Sequence, residues 1–179
     1  MEKQQYWEAL NAIGWFELLP EDERHRAQNA LHHAFERHPK LAYFGLAVTS
    51  FDPECIERDG PDSLCSYHSV LQQLAAASYG FFAPNHIHDE LDEVAEVARV
   101  QFDHAGHRFA IEVPWESDWF EYDVLVLVND AIKWSGATVQ FVPLPSIDQR
   151  VSLALIPPAT YRKAVKAGLI PAEDQFPTD

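Results

Sequence analysis

The stretch ARVQFDHAGHRFAIEV, from Ala98 to Val113, has the pattern of two antiparallel strands joined at Ala105-Gly106. When residues equally distant from this centre are paired, the pairs on one face are apolar and the pairs on the other face have opposite charges. Both kinds of cross-strand pair stabilise a sheet. A slip of one residue would disrupt both faces, so the pattern predicts a β-hairpin in this register. The apolar pairs are Ala98 with Val113, Val100 with Ile111 and Phe102 with Phe109; the charged pairs are Asp103 with Arg108 and Arg99 with Glu112.

Two forms of the hairpin turn would keep this register. A two-residue turn would consist of Ala105 and Gly106, and a four-residue loop would run from His104 to His107. The favoured two-residue turns need positive φ at one or both positions, which suits Asn, Asp or Gly better than Ala. The sequence therefore favours the four-residue loop.

The segments after residue 65 predict an α+β fold, an antiparallel sheet flanked by helices. Apolar residues at helical spacing alternate with short apolar runs bounded by turn residues. Hairpins and short connections between such elements are typical of antiparallel sheets with helices packed on them. The predicted helices are Ser66–Ser78, the segment ESDWFEYDVLVLVNDAIKWSG (116–136) and a short last helix opened by Pro158. Besides the hairpin, the predicted strands are Thr138–Val142, Val151–Ile156 and one that starts at residues 81–83.

The N-terminal third predicts a helical extension. Helices are expected at Glu2–Ile13 and from Pro20 to Pro39, with a strand at Tyr43–Thr49. The turn-rich segment SFDPECIERDGPDSLC (50–65) predicts a long loop. We therefore expect residues 1–60 to form a helical extension packed on an α+β core of residues 61–179, with a single domain over 1–179 as the alternative.

Composition restricts the possible partners. The chain has 179 residues and a formal net charge of −15, which disfavours nucleic acid and anionic membrane surfaces and favours a basic protein partner. Cys55 and Cys65 do not make a disulfide framework, and no signal peptide or membrane-length apolar run is visible. The prediction is a cytoplasmic protein that uses no cofactor; its oligomeric state stays open.

The histidines around the hairpin raise a metal-binding hypothesis. Zinc sites need three or four ligands held close together, and extended residues two apart point to the same side. The alternative is that these histidines are polar residues at strand ends, which the absence of an HExxH or paired CxxC motif favours. The candidate ligands are His86, His88, His104 and His107.

A catalytic hypothesis starts from Cys65, which precedes a predicted helix whose dipole would lower the pKa of a thiol there. A histidine follows, either His104 or His107, and then Asp118. This order of Cys, His and Asp resembles that of papain-like and transglutaminase-like hydrolases, and the resemblance implies a thiol nucleophile, a histidine base and an orienting carboxylate. The alternative is a half-buried cysteine at a helix start.

The segment PWESDWFEYD, from Pro114 to Asp123, interleaves acids with aromatic residues. Aromatic residues are favoured anchors at protein interfaces, and carboxylates around them steer a basic partner. The alternative is that the acids only complement the helix start while Trp115 and Trp119 lie in the core. The predicted partner-binding residues are Glu116, Asp118, Trp119, Glu121, Tyr122 and Asp123.

The layout from Ser66 to Pro171 resembles the immunity proteins of bacterial toxin systems. It combines a small acidic α+β core with the tail LIPPATYRKAVKAGLIP (155–171), a strand followed by a short helix opened by proline. The resemblance implies a non-enzymatic inhibitor that covers a basic protein such as a toxin. No functional residue is carried over from it.

Overall fold

The computed structural model describes residues 2–53, 56, 66–115, 119–146 and 149–172. The chain forms two compact units: the first contains Met1–Ser50 and Gln140–Asp179, and the second contains Phe51–Val139. The second unit is thus an insertion in the sequence of the first. The N-terminal helices and the last two strands belong to the same unit.

The α+β class is confirmed, but the strands form two sheets where the sequence suggested one. The helices are α1 (Lys3–Ala12), α2 (Glu21–Arg37), a 3-10 helix (Pro39–Leu46), α3 (Tyr67–Ala77), α4 (Tyr122–Trp134) and α5 (Pro158–Lys166). The strands are β1 (Thr49–Phe51), β2 (Asn85–Asp92), β3 (Val97–His104), β4 (His107–Pro114), β5 (Gln140–Pro143) and β6 (Val151–Ile156). One three-stranded sheet has the order β1, β6, β5, and the other has the order β2, β3, β4.

The first unit has its own apolar core. Helix α1 contributes buried residues at helical spacing, and α2 begins directly after Pro20 with three acids in its first turn, which complement the positive end of the helix dipole. The hydroxyl of Tyr6 donates to the carbonyl oxygen of Leu169 over 2.6 Å, a bond between residues 163 positions apart. The buried residues of this core include Tyr6, Trp7, Leu10, Phe16, Leu31, Tyr43, Ala154, Ile156, Ala164 and Ile170.

The predicted strand at Tyr43–Thr49 is wrong. A 3-10 helix covers Pro39–Leu46, and strand β1 begins only at Thr49. The cause is the packing of Gly45 against α2, where a Cβ atom would lie 2.7 Å from the Cα of Leu31. Only glycine permits this approach, so tertiary packing overrides the β-propensity of the apolar run.

The hairpin of the second unit is confirmed pair by pair. Strands β3 and β4 are antiparallel, and all the predicted partners face each other. Phe102 and Phe109 stack with ring centroids 5.6 Å apart, and the Arg108 guanidinium donates to Asp103 at 2.8 Å. The preference for a four-residue loop is wrong, because Ala105 and Gly106 alone form the turn, with φ of 48° and 76°.

Helices α3 and α4 cover one side of the second sheet. Helix α3 contacts β2 and α4 contacts β4, and every second residue of β3 is buried. Strand β2 pairs with β3 through a register shift between Asn85 and His88, where His86 has a φ of 51°. Helix α4 starts at Tyr122, later than the acidic segment suggested, and its buried face consists of Val124, Leu125, Val128, Ala131 and Ile132.

Candidate binding surface on the second unit

Helix α4 presents three large apolar side chains and one aspartate to solvent along one ridge, which we call the α4 ridge. It consists of Tyr122, Val126, Asp130 and Trp134, which are four residues apart and therefore lie in one row. Tyr122 is 50% exposed, Val126 55% and Trp134 62%. The row is about 18 Å long at the helical rise per residue. Such an arrangement differs from single exposed apolar residues, which are common on any surface.

Both ends of the α4 ridge are held by ring contacts. Trp134 stacks on His107 of β4, with ring centroids 4.5 Å apart and planes 28° apart. Tyr122 makes an edge contact with the buried Phe120 at 6.1 Å. Trp119, 40% exposed, precedes the helix. The aromatic groups are thus positioned in advance, which lowers the entropy cost of using them in binding.

The start of α4 is fixed by hydrogen bonds from the backbone. The N–H of Glu121 donates to the hydroxyl of Tyr67 at 3.2 Å, and the N–H of Phe120 donates to the carbonyl oxygen of Pro53 at 2.7 Å. Burial raises the pKa of Tyr67 to about 12, so its hydroxyl stays neutral at physiological pH. These bonds hold in place the segment that carries Trp119 and Tyr122.

Negative charge is concentrated in the second unit. Residues 51–139 hold 17 of the 28 acidic residues and 4 of the 13 basic residues, which leaves them a formal charge of −13 out of −15. Arg99 is engaged by Glu112 at 2.9 Å and by Asp92 at 3.2 Å. The bidentate Arg108 and then His86 lower the pKa of Asp103 to about 2, so this carboxylate is ionised at neutral pH. A basic partner would therefore experience a strongly negative surface.

The predicted partner-binding residues fall in three groups. Trp119, Tyr122 and Asp123 are exposed, as an anchor role requires, and Glu121 is half-buried at the helix start. Trp115, which is not one of the predicted partner-binding residues, is half-buried. Glu116 and Asp118 lie outside the described residues.

The candidate catalytic residues are only partly described. Cys65 and Asp118 lie outside the described residues. His104 is buried, and its Nδ1 accepts the N–H of Ala83 at 3.2 Å, while its Nε2 has no hydrogen-bond partner among the described residues. His107 is exposed and stacks on Trp134. One candidate base is thus enclosed in the core and the other belongs to the surface beside α4.

The four candidate metal ligands are separated by the sheet geometry. His86 lies beside Asp103, with its Nδ1 3.0 Å from the carboxylate, and His88 is exposed on β2 opposite Gln101. His104 points into the core from the other face of β3. Within the described part of the chain, no group of three or more His, Cys, Asp or Glu side chains could hold a metal ion.

Sequence reasoning missed Val126, Trp134 and the stacking of Trp134 on His107. A signal was present, because Val126 and Trp134 continue the four-residue spacing from Tyr122 along the predicted helix. The contact with His107 joins residues 27 positions apart in different elements, so no local pattern indicated it.

No family model, curated protein or solved structure matches this chain. Among the described helices, none combines the length and the apolar character that a membrane crossing requires. The α4 ridge and the charge of the second unit are therefore the features from which function can be argued.

Proposed function

We propose that this protein is a non-enzymatic, acidic binding protein that recognises a basic protein partner through the α4 ridge. The observation that carries the proposal is the row of exposed Tyr122, Val126 and Trp134 in a unit with a formal charge of −13. Apolar anchors supply the short-range binding energy, and the surrounding carboxylates supply attraction at longer range.

The proposed mechanism is occlusion of a cationic site. Asp123 and Asp130 are exposed on α4 beside the anchors, so lysine or arginine side chains of a partner could pair with them while apolar groups cover Trp134. An inhibitor of the immunity type would act in this way by covering the basic surface of a toxin, without a cofactor and without chemistry of its own.

Affinity capture with the immobilised full chain tests the proposal. At low salt we expect a basic protein to be retained from extract of the native cell, and retention should fall as salt screens the charges. The double variant Tyr122→Ala/Trp134→Ala should lose this protein. Because the two side chains are at least half exposed, the variant should keep its circular dichroism spectrum and unfold cooperatively.

A matched control is Val94→Ala, since Val94 is 98% exposed on the turn between β2 and β3, away from α4 in the sequence. This variant should retain the partner like the wild type. Capture of acidic proteins only, capture independent of salt, or equal retention by the α4 ridge variant would contradict the proposal.

A further inference from the structure

The last turn of α4 combines an exposed indole with an exposed carboxylate. Trp134, the final residue of the helix, is 62% exposed, and Asp130 is exposed one turn before it in the α4 ridge. Side chains four residues apart on a helix are neighbours, with Cβ atoms about 6 Å apart. A single group of a partner can therefore contact the Trp134 ring and the Asp130 carboxylate together.

One face of the Trp134 indole is covered, and the other is open. The His107 ring stacks on the indole at 4.5 Å with planes 28° apart, and it is itself held by an edge contact with Phe109 at 4.9 Å. Because Trp134 is largely exposed in spite of this contact, its second face is available to a ligand. The hairpin thus holds the indole in place before binding, which reduces the entropy cost of using it.

The charges around this turn favour a cation. Asp130 makes no ion pair within the described part of the chain. Helix α4 ends at Trp134, so the negative end of its dipole lies there, and the face of an indole itself attracts cations. Two basic residues are close in the sequence: Lys133 lies about 100° around the helix from Trp134. The other, Arg108, is already paired with Asp103 at 2.8 Å.

An arginine side chain fits this combination better than a lysine side chain does. The guanidinium group is planar and weakly hydrated, so its face can stack on an indole while its N–H groups donate to a carboxylate. The lysine ammonium is a compact, strongly hydrated charge and gains less from the face of a ring. Arginine is also one of the residue types that contribute most to binding at protein interfaces.

We propose that Trp134 and Asp130 form a binding site for an arginine side chain of the partner. The guanidinium stacks on the open face of the indole and donates to the Asp130 carboxylate, while His107 supports the indole from the other side. This inference rests on the proposed function, because it names the group of the partner that reaches the C-terminal end of the α4 ridge. Tyr122 and Val126 remain the apolar anchors along the rest of the ridge.

Titration of the isotope-labelled full chain with N-acetyl-arginine methylamide tests the site by NMR. The matched probes are the same derivatives of lysine and of citrulline, the neutral isostere of arginine. The indole N–H signal of Trp134, identified by its loss in Trp134→Phe, should shift saturably with the arginine probe. The lysine probe should bind about threefold less tightly and the citrulline probe about fivefold less tightly, the scale of an exposed cation–π contact and an exposed ion pair.

Substitutions at exposed positions assign the two contacts. Asp130→Asn should weaken arginine binding about fivefold and remove the preference for arginine over citrulline. Asp22→Asn, which removes the same charge from an exposed position of α2, is the control and should leave binding unchanged. Trp134→Leu, followed through the backbone N–H signal of Asp130, should remove the preference for arginine over lysine. An unshifted Trp134 signal, equal binding of arginine and lysine by the wild type, or equal losses in the two aspartate variants overturns the arginine site.

The outcome of this titration is distinguishable from that of the capture experiment. If the arginine probe binds as expected but no basic protein is retained, the proposed function fails while the arginine site stands. If a basic protein is retained through the α4 ridge but the arginine and lysine probes are equivalent, the arginine site fails and the proposed function stands. The second result is consistent because Tyr122 and Val126 can anchor a partner that presents no arginine to Trp134.

Discussion

At the scale of single residues, Ala105 has a backbone conformation that suits other residue types better. Its φ of 48° lies in the left-handed region, where the Cβ atom of an L-residue crowds the following carbonyl. With Gly106 also at positive φ, the turn has the geometry that favours Asn-Gly. The cross-strand pairs on both sides hold Ala105 in place despite this cost.

Ala105→Asn should therefore stabilise the protein by about 0.5–1 kcal/mol, because Asn tolerates positive φ better than Ala. Urea unfolding monitored by tryptophan fluorescence would measure the change. Ala110→Asn is the control, since Ala110 is exposed in β4 and has no positive φ. An equal effect at both positions, or destabilisation by Ala105→Asn, would refute the account of the turn.

The contribution of Asp103 to the stability of the folded protein depends on pH. Its pKa is about 2 in the folded protein against an ordinary value of 3.8, first because of the hydrogen bonds from Arg108 and then because of His86. A carboxyl with a lowered folded pKa contributes stability above pH 4, and this contribution is lost as the pH falls from about 4 to about 2. Every carboxylate that is paired in the folded state likewise loses its stabilising contribution as the pH falls.

Asp103→Asn should consequently lose stability at neutral pH but show a smaller further loss between pH 4 and pH 2 than the wild type. Thermal unfolding over this pH range would measure both quantities. Asp130→Asn, an exposed aspartate on α4 without this arginine pair, should keep the acid-dependent loss of the wild type. Parallel pH profiles for Asp103→Asn and the wild type would contradict the assignment.

At the scale of elements, α3 is capped both by its own chain and by a neighbouring strand. The Ser66 Oγ accepts the N–H of Ser69 at 3.1 Å, while the N–H of Ser66 donates to the Ser69 Oγ at 2.9 Å. Asp89 of β2 accepts the N–H of His68 at 3.1 Å. These bonds satisfy donors that the first helical turn leaves free, and the carboxylate also complements the helix dipole.

Ser66→Ala should destabilise the protein by about 1 kcal/mol, whereas Ser66→Gly should cost only a few tenths, which is the usual ranking of these residues at the start of a helix. Chemical denaturation of the two variants provides the comparison. If glycine costs more than alanine, the contribution of Ser66 is not that of a helix cap.

At the scale of the whole molecule, the uneven charge sets the kinetics expected for binding. The second unit carries nearly all of the net charge, while the first unit is close to neutral. Long-range attraction of this kind raises the association rate and is screened by salt, whereas dissociation depends mainly on contacts within the interface.

Asp123→Asn together with Asp130→Asn should slow association with the proposed basic partner several-fold at low salt and much less at physiological salt, with a smaller change in the dissociation rate. Stopped-flow or biolayer measurements of both rates would test this. Glu8→Gln with Glu17→Gln removes two exposed acids from the first unit and should slow association less. An effect confined to dissociation would contradict steering by charge.

The features that the sequence predicted correctly are those encoded within short stretches. The paired residues of the hairpin are at most 17 positions apart, the outermost pair being Val97 and Pro114. The alternation of apolar and charged residues along the two strands is consistent with only one register. Helices α1, α2, α3 and α5 follow from local spacing and from proline and glycine near their ends. The sequence also showed Trp119 and Tyr122 beside the acids, but it left open whether Trp119 is exposed or lies in the core.

Only the tertiary structure decided what depends on distant residues. The grouping of the N-terminal helices with β5, β6 and α5 rests on contacts such as Tyr6 with Leu169, and the 3-10 helix at Pro39–Leu46 rests on the approach of Gly45 to Leu31. The stacking of Trp134 on His107, which completes the α4 ridge, is of the same kind. Such contacts lower the free energy only after the chain has brought distant segments together, so no local pattern of residue types can specify them.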